Sequence, residues 1–132
     1  TMISVSDRLQ SWRAPLARWL AREFDRFRPN VIVSVHAPYN LLDFDGPPNV
    51  SPKRLGNIYL SLLGTYPGSM GRYAGMMKNI PVITIELPNA QALPPPREIQ
   101  GIWNDLIHWL TLHARDRTLT ADAHPLGGQH RR

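Results

Sequence analysis

Two residues stand at positions where their chemistry is costly unless it is used. Glu86 closes the run Val82-Ile83-Thr84-Ile85, β-branched throughout and bounded by Pro81 and Pro88, which reads as a buried strand. An ionised carboxylate cannot be buried alone, so Glu86 is paired, protonated, or set at a strand end where a site opens. His36 ends a second apolar run, Val31-Ile32-Val33-Ser34-Val35. The carboxyl ends of strands are where open α/β sheets gather ligands, and an imidazole there is either structural or a metal ligand. Asp43 and Asp45 follow in a proline-rich segment, where they either form Asx turns ahead of Gly46 or meet a substrate ammonium. His113 and Asp116 have the three-residue offset of a helical metal pair but no third ligand nearby, so they read as surface residues.

Three short motifs occur in a definite order: Ser34-Val35-His36, Pro67-Gly68-Ser69 and Thr84-Ile85-Glu86. In this order the sequence resembles the zinc carboxypeptidase family, most closely its bacterial murein peptide amidase branch, over Phe27 to Asn89 and more loosely in the flanking helices. The resemblance implies an α/β/α sandwich, a mixed and mainly parallel sheet flanked by helices, of which this chain holds an incomplete part. It implies a zinc-dependent peptidase or amidase cutting a short cell-wall (murein) peptide at a bond involving diaminopimelate. In that reading His36 is a zinc ligand and Glu86 the general base that takes a proton from the zinc-activated water. A mobile tyrosine of the family's loop would fall on Tyr66 in an offset register, where the ring is equally well structural. A related deacylase acting on an N-acyl amino acid shares the same pattern.

The family's His-x-x-Glu pair and substrate-binding arginines are missing. None of His36, His108, His113, His124 and His130 has Glu three residues later, and all but His36 follow Glu86. The resemblance therefore implies that residues 1–117 are the C-terminal half of a catalytic domain and 118–132 a loose polar tail. The other two zinc ligands are then expected outside this chain, on the N-terminal half of the same domain, and a chain with one ligand is expected to bind zinc weakly and leave peptides uncleaved. A different class of reading is a non-catalytic α/β remnant or interaction module that lacks the metal site.

Composition narrows the field. The 132 residues are 42% hydrophobic, enough for a core, and 13 prolines and 9 glycines punctuate the periodic segments without forming a low-complexity tract. The absence of cysteine excludes disulfides, thiolate metal sites and a cysteine nucleophile, and leaves bacterial cytoplasm and periplasm both open. The net charge of +5 comes from the two ends, since residues 30–114 balance five basic against five acidic side chains. Arginines near the start alternate with Asp7, Glu23 and Asp25, the pattern of a solvated helix rather than of a nucleic-acid surface. No apolar run is long enough for a membrane span.

The elements expected to position these groups follow from periodicity. Pro15 starts a helix whose Leu16, Leu20, Phe24 and Phe27 share a face, and residues 31–35 are expected to be a central parallel strand covered on both faces. Residues 37–52 read as a surface loop. Ser51 caps a helix over Pro52–Leu63 with Leu55, Ile58, Tyr59 and Leu62 inward, ended by Gly64. Arg72–Met77 is a short helix packing through Tyr73 and Met76. A last helix buries Ile99, Ile102, Trp103, Leu106, Ile107 and Leu110. The Gly-x-Ser-x-Gly elbow of a serine hydrolase is absent around Ser69.

Overall fold

The computed structural model describes residues 5–65, 67 and 69–121, with side chains over the described part of 15–113. In chain order the elements are α1 (Val5–Phe27), β1 (Ile32–His36), β2 (Leu41–Asp45), a 3₁₀ turn (Pro48–Val50), β3 (Arg54–Leu55), β4 (Ile58–Tyr59), a π-helical turn (Gly71–Met77), β5 (Val82–Glu86) and α2 (Pro96–Ala121). The fold is mixed α/β, built on a three-stranded sheet of order β1-β5-β2, with β1 parallel and β2 antiparallel to β5. No helix among the described residues is long and apolar enough to cross a membrane.

The central strand is β5, not β1. Val82, Ile83, Ile85 and Glu86 are all buried, whereas β1 lies at the edge with Val33 and Val35 exposed. Both runs are apolar on both faces, and composition states only what a strand tolerates; which strand gains two neighbours is decided by pairing.

The neighbour on the other side of β5 was hidden among four prolines. Residues 41–45, read from sequence as part of a loop, form β2, with Leu42 and Phe44 buried on the core face and Asp43 and Asp45 on the opposite one. The signal was the two-residue alternation Leu-Asp-Phe-Asp.

The helix expected over Pro52–Leu63 is instead the hairpin β3–β4, turning at Gly56-Asn57. That dipeptide is a hairpin signal, and Gly56 has φ 57, inside the left-handed region. A Cβ at Gly56 would come within 2.8 Å of the Ile102 nitrogen, and the Gly56 N–H donates to Asp105 Oδ2 at 2.8 Å, so the turn is pressed against α2. Leu55 and Ile58 are in the core as expected, but Tyr59 and Leu62 are exposed. Helical and hairpin spacings both bring residues 55 and 58 together, and the turn decides between them.

The main core lies between the sheet, the hairpin and α2: Leu42, Phe44, Leu55, Ile58, Ile83, Ile85, Ile102, Leu106 and Trp109. Trp109 meets Phe44 edge-on with centroids 6.0 Å apart and donates its indole N–H to the Val50 carbonyl at 2.7 Å. The helix stripe is thus rotated from the expected one: Trp109 faces in, and Trp103, Ile107 and Ile99 are exposed. A hydrophobic helix offers more than one apolar stripe, and the turn at Gly56 selects the face carrying Ile102 and Asp105. α2 also continues to Ala121, so residues 118–121 are helical rather than tail; no Gly or Pro interrupts 102–121.

α1 begins at Val5 and carries Pro15 in its interior rather than at its first turn. Proline removes one donor there, and helix-compatible residues on both sides carry the helix across it. Phe24 packs with Ile32 and Met70 on a second small cluster, Ala74, Ile80 and Val82. Leu16, Trp19 and Phe27 are exposed, as is Met76 of the π-helical turn, while Tyr73 lies against Phe24 with centroids 6.5 Å apart.

Candidate active site

Strand register builds the site. Residues paired across a sheet share a face, and side chains alternate along a strand, so one face carries three rows read along β5. These are Ile32, Val82 and Asp45; then Ser34, Thr84 and Asp43; then His36, Glu86 and Leu41. The first row is roofed by the cluster of Ala74, Ile80 and Phe24. The next two rows are polar, and they run toward the carboxyl ends of the two parallel strands.

The sequence-predicted ligand and base are brought together. His36 and Glu86 are register partners, and His36 Nδ1 lies 3.6 Å from Glu86 Oε1. Glu86 is buried, with its Oε2 at 3.5 Å from the Tyr39 N–H, while the His36 side chain is 56% exposed. The pair spans the boundary between core and solvent, so a substrate group can reach the imidazole but not surround the carboxylate. The other imidazole nitrogen, Nε2, is 2.8 Å from Ser34 Oγ. Sequence reading named Ser34 only as part of a motif; its i, i+2 relation to His36 on a strand was the available signal, because that spacing puts both on one face.

Asp43 and Asp45 sit in β2 rather than in Asx turns. Asp43 is buried and its Oδ1 accepts the Leu63 N–H at 3.0 Å, tying residues 61–63 to the sheet together with the Ser61 N–H bond to the Leu42 carbonyl at 2.8 Å. Asp45 lies under the π-helical turn, where a Cβ at Gly71 would collide with Asp45 Oδ2, so only glycine lets the turn approach. Burial, and secondly the neighbouring Asp43 charge, push the Asp45 carboxyl up to about 6. The structure therefore places neither acid as a free arm over His36.

Tyr66, Gly68, His124 and His130 lie outside the described residues, as does the side chain of Asp116. The His113 ring packs on Trp109 with centroids 4.8 Å apart. A cleft of about 360 Å³ between the end of α1 and the turn after Met77 is lined by Phe24, Asp25, Arg28, Lys78 and Ile80 among others, and includes neither His36 nor Glu86.

Zinc needs about three protein ligands. Among the described residues no group of three or more His, Cys, Asp and Glu side chains could hold a metal ion. The His36–Glu86 pair offers two donors at most, one of which the resemblance reserves as the base, so the described residues do not fit a zinc ion by themselves.

No family model matches this chain, and neither the curated proteins nor the solved structures give a match.

Proposed function

We propose that the chain supplies the His36–Glu86 portion of a hydrolytic site of the zinc carboxypeptidase type, in a larger α/β/α sandwich, acting on a short cell-wall peptide of the murein peptide amidase kind. The observation that carries this reading is the side-by-side placement of His36 and Glu86 at the carboxyl ends of two parallel strands, 3.6 Å apart. Glu86 Oε1 is the proton acceptor: it takes a proton from the attacking water and returns it to the leaving amine. The Tyr39 N–H holds the other oxygen, Oε2, which leaves Oε1 on the His36 side. Zinc would be held by His36 and by two ligands from outside the described residues, on the N-terminal half of the same domain. A deacylase of an N-acyl amino acid, which shares that scaffold, is the alternative for the same pair with a different substrate.

A second reading is favoured by a specific observation. Val33 and Val35 on β1 and Leu16, Trp19 and Phe27 on α1 are all exposed, which is the surface of an interaction module more than of a free-standing enzyme.

The test is zinc content and hydrolysis of a diaminopimelate-containing peptide, measured together on the protein in its natural full length. Glu86→Gln is expected to keep zinc and lose at least about a hundredfold in rate, and His36→Ala to lose zinc as well. A fully active Glu86→Gln protein overturns Glu86 as the base, and a parent protein that neither holds zinc nor cleaves the peptide favours the interaction module.

A further inference from the structure

We infer that Ser34, His36 and Glu86 form a metal-independent acyl-transfer relay in which Ser34 Oγ is the nucleophile toward activated esters. This does not rest on the zinc reading, since it uses no donor beyond the described residues.

Three side chains stand in the order nucleophile, base, orienting carboxylate, and each is fixed by backbone geometry. Strand alternation puts Ser34 and His36 on one face of β1, and the parallel register puts Glu86 beside His36. The two imidazole nitrogens have different partners: Nε2 faces Ser34 Oγ at 2.8 Å, and Nδ1 faces Glu86 Oε1 at 3.6 Å. A carboxylate opposite Nδ1 favours the tautomer with its hydrogen on that atom, leaving the Nε2 lone pair directed at the serine hydroxyl. The Nδ1 to Oε1 separation exceeds a hydrogen bond, and such contacts tighten when substrate binds. Access is available because β1 is the edge strand, and His36 is more than half exposed.

Ser34 Oγ attacks the ester carbonyl carbon, forming the Oγ–C bond as the hydroxyl proton passes to His36 Nε2. Collapse breaks the bond to the leaving alkoxide or phenoxide, which takes that proton from Nε2. Water then attacks the acyl-serine, its proton again passing to Nε2 and on to Ser34 Oγ. No oxidant, reductant or metal enters the balance. Glu86 stands beside the relay's imidazole, so the acyl groups accepted are neutral or cationic ones.

The experiment uses the metal-stripped chain, kept in chelator, with p-nitrophenyl acetate. A burst of p-nitrophenol stoichiometric with protein is expected, with one acetyl group mapped to Ser34 by peptide mass. Ser34→Ala should abolish the burst, Ser34→Cys should restore acylation, His36→Gln should slow it by about a hundredfold and Glu86→Gln by at least about tenfold. Ser61→Ala, at an exposed position outside the relay, should acylate like the parent. Circular dichroism of each variant separates loss of fold from loss of chemistry, and the Cys variant keeps a nucleophile in place if Ala perturbs the strand. Acetyl groups confined to lysines, a burst surviving in Ser34→Ala, or a Glu86→Gln rate equal to the parent would overturn the relay. The peptide reading fails separately, in the zinc and peptide measurements.

Discussion

The two flanks of β5 are built from similar residues and end up in opposite conditions. On the β2 flank, Leu42 and Phe44 are sealed by the hairpin and by Ile102, Leu106 and Trp109 of α2, and Asp43 spends its carboxylate on the backbone of Leu63. On the β1 flank, Val33 and Val35 project from the same core-side face and remain exposed, and His36 stands half out of the sheet. Apolar strand composition is therefore not what creates a core; the third layer is. The polar pair on the other face shows the same contrast, since Glu86 on the central strand is buried while its partner His36 on the edge strand is more than half exposed.

The largest expected effect breaks the closed flank. Trp109→Ala removes the ring that meets Phe44 and the N–H bonded to the Val50 carbonyl, and should cost about 3–5 kcal/mol in denaturant unfolding. A cost near that of a surface change would mean that α2 does not seal this side.

A middle effect sharpens the comparison through pH. The Asp45 carboxyl is raised from 3.8 to about 6, so the folded state holds its proton more tightly than the unfolded chain does. Its contribution to stability is present below about pH 4 and is lost as pH rises through about 6. Asp45→Asn should thus stabilise the protein near pH 7.5 by about 1 kcal/mol, a value reduced for the solvent that reaches the group, and much less near pH 4. Thermal melts at the two pH values check it, and an equal shift at both would remove burial as the cause.

The smallest effect probes the open flank. Val35→Thr, at a residue 59% exposed, should change stability by no more than about 0.5 kcal/mol. A loss of 2 kcal/mol would show that another surface covers β1 in solution.

Much of the site was legible because it depends on local sequence. β-Branched runs bounded by proline mark β1 and β5, and the residue closing each run is fixed by where the run stops, which is how His36 and Glu86 were found. Their adjacency needs a parallel, in-phase register, a fact about two segments 46 residues apart. The contact between Ser34 and His36 was half legible: the two-residue spacing puts both on one face, but that the ring's other nitrogen faces Glu86 depends on the pairing of β1 with β5. β2 and the hairpin were missed because proline density outweighed the Leu-Asp-Phe-Asp alternation and the Gly-Asn turn, signals of a few residues each.

By itself the sequence determined that residues 32–36 and 82–86 are strands closed by His36 and Glu86 and that 16–27 and 99–110 are helical, because those follow from side-chain branching, proline and periodicity within a few residues. Tertiary structure alone decided that β5 is central and β1 an edge, that α2 turns Trp109 rather than Trp103 inward, and that Asp43 is tied to Leu63 rather than facing solvent. The physical reason is that pairing register and burial are settled by which distant surfaces meet, and a side chain carries no record of its neighbour.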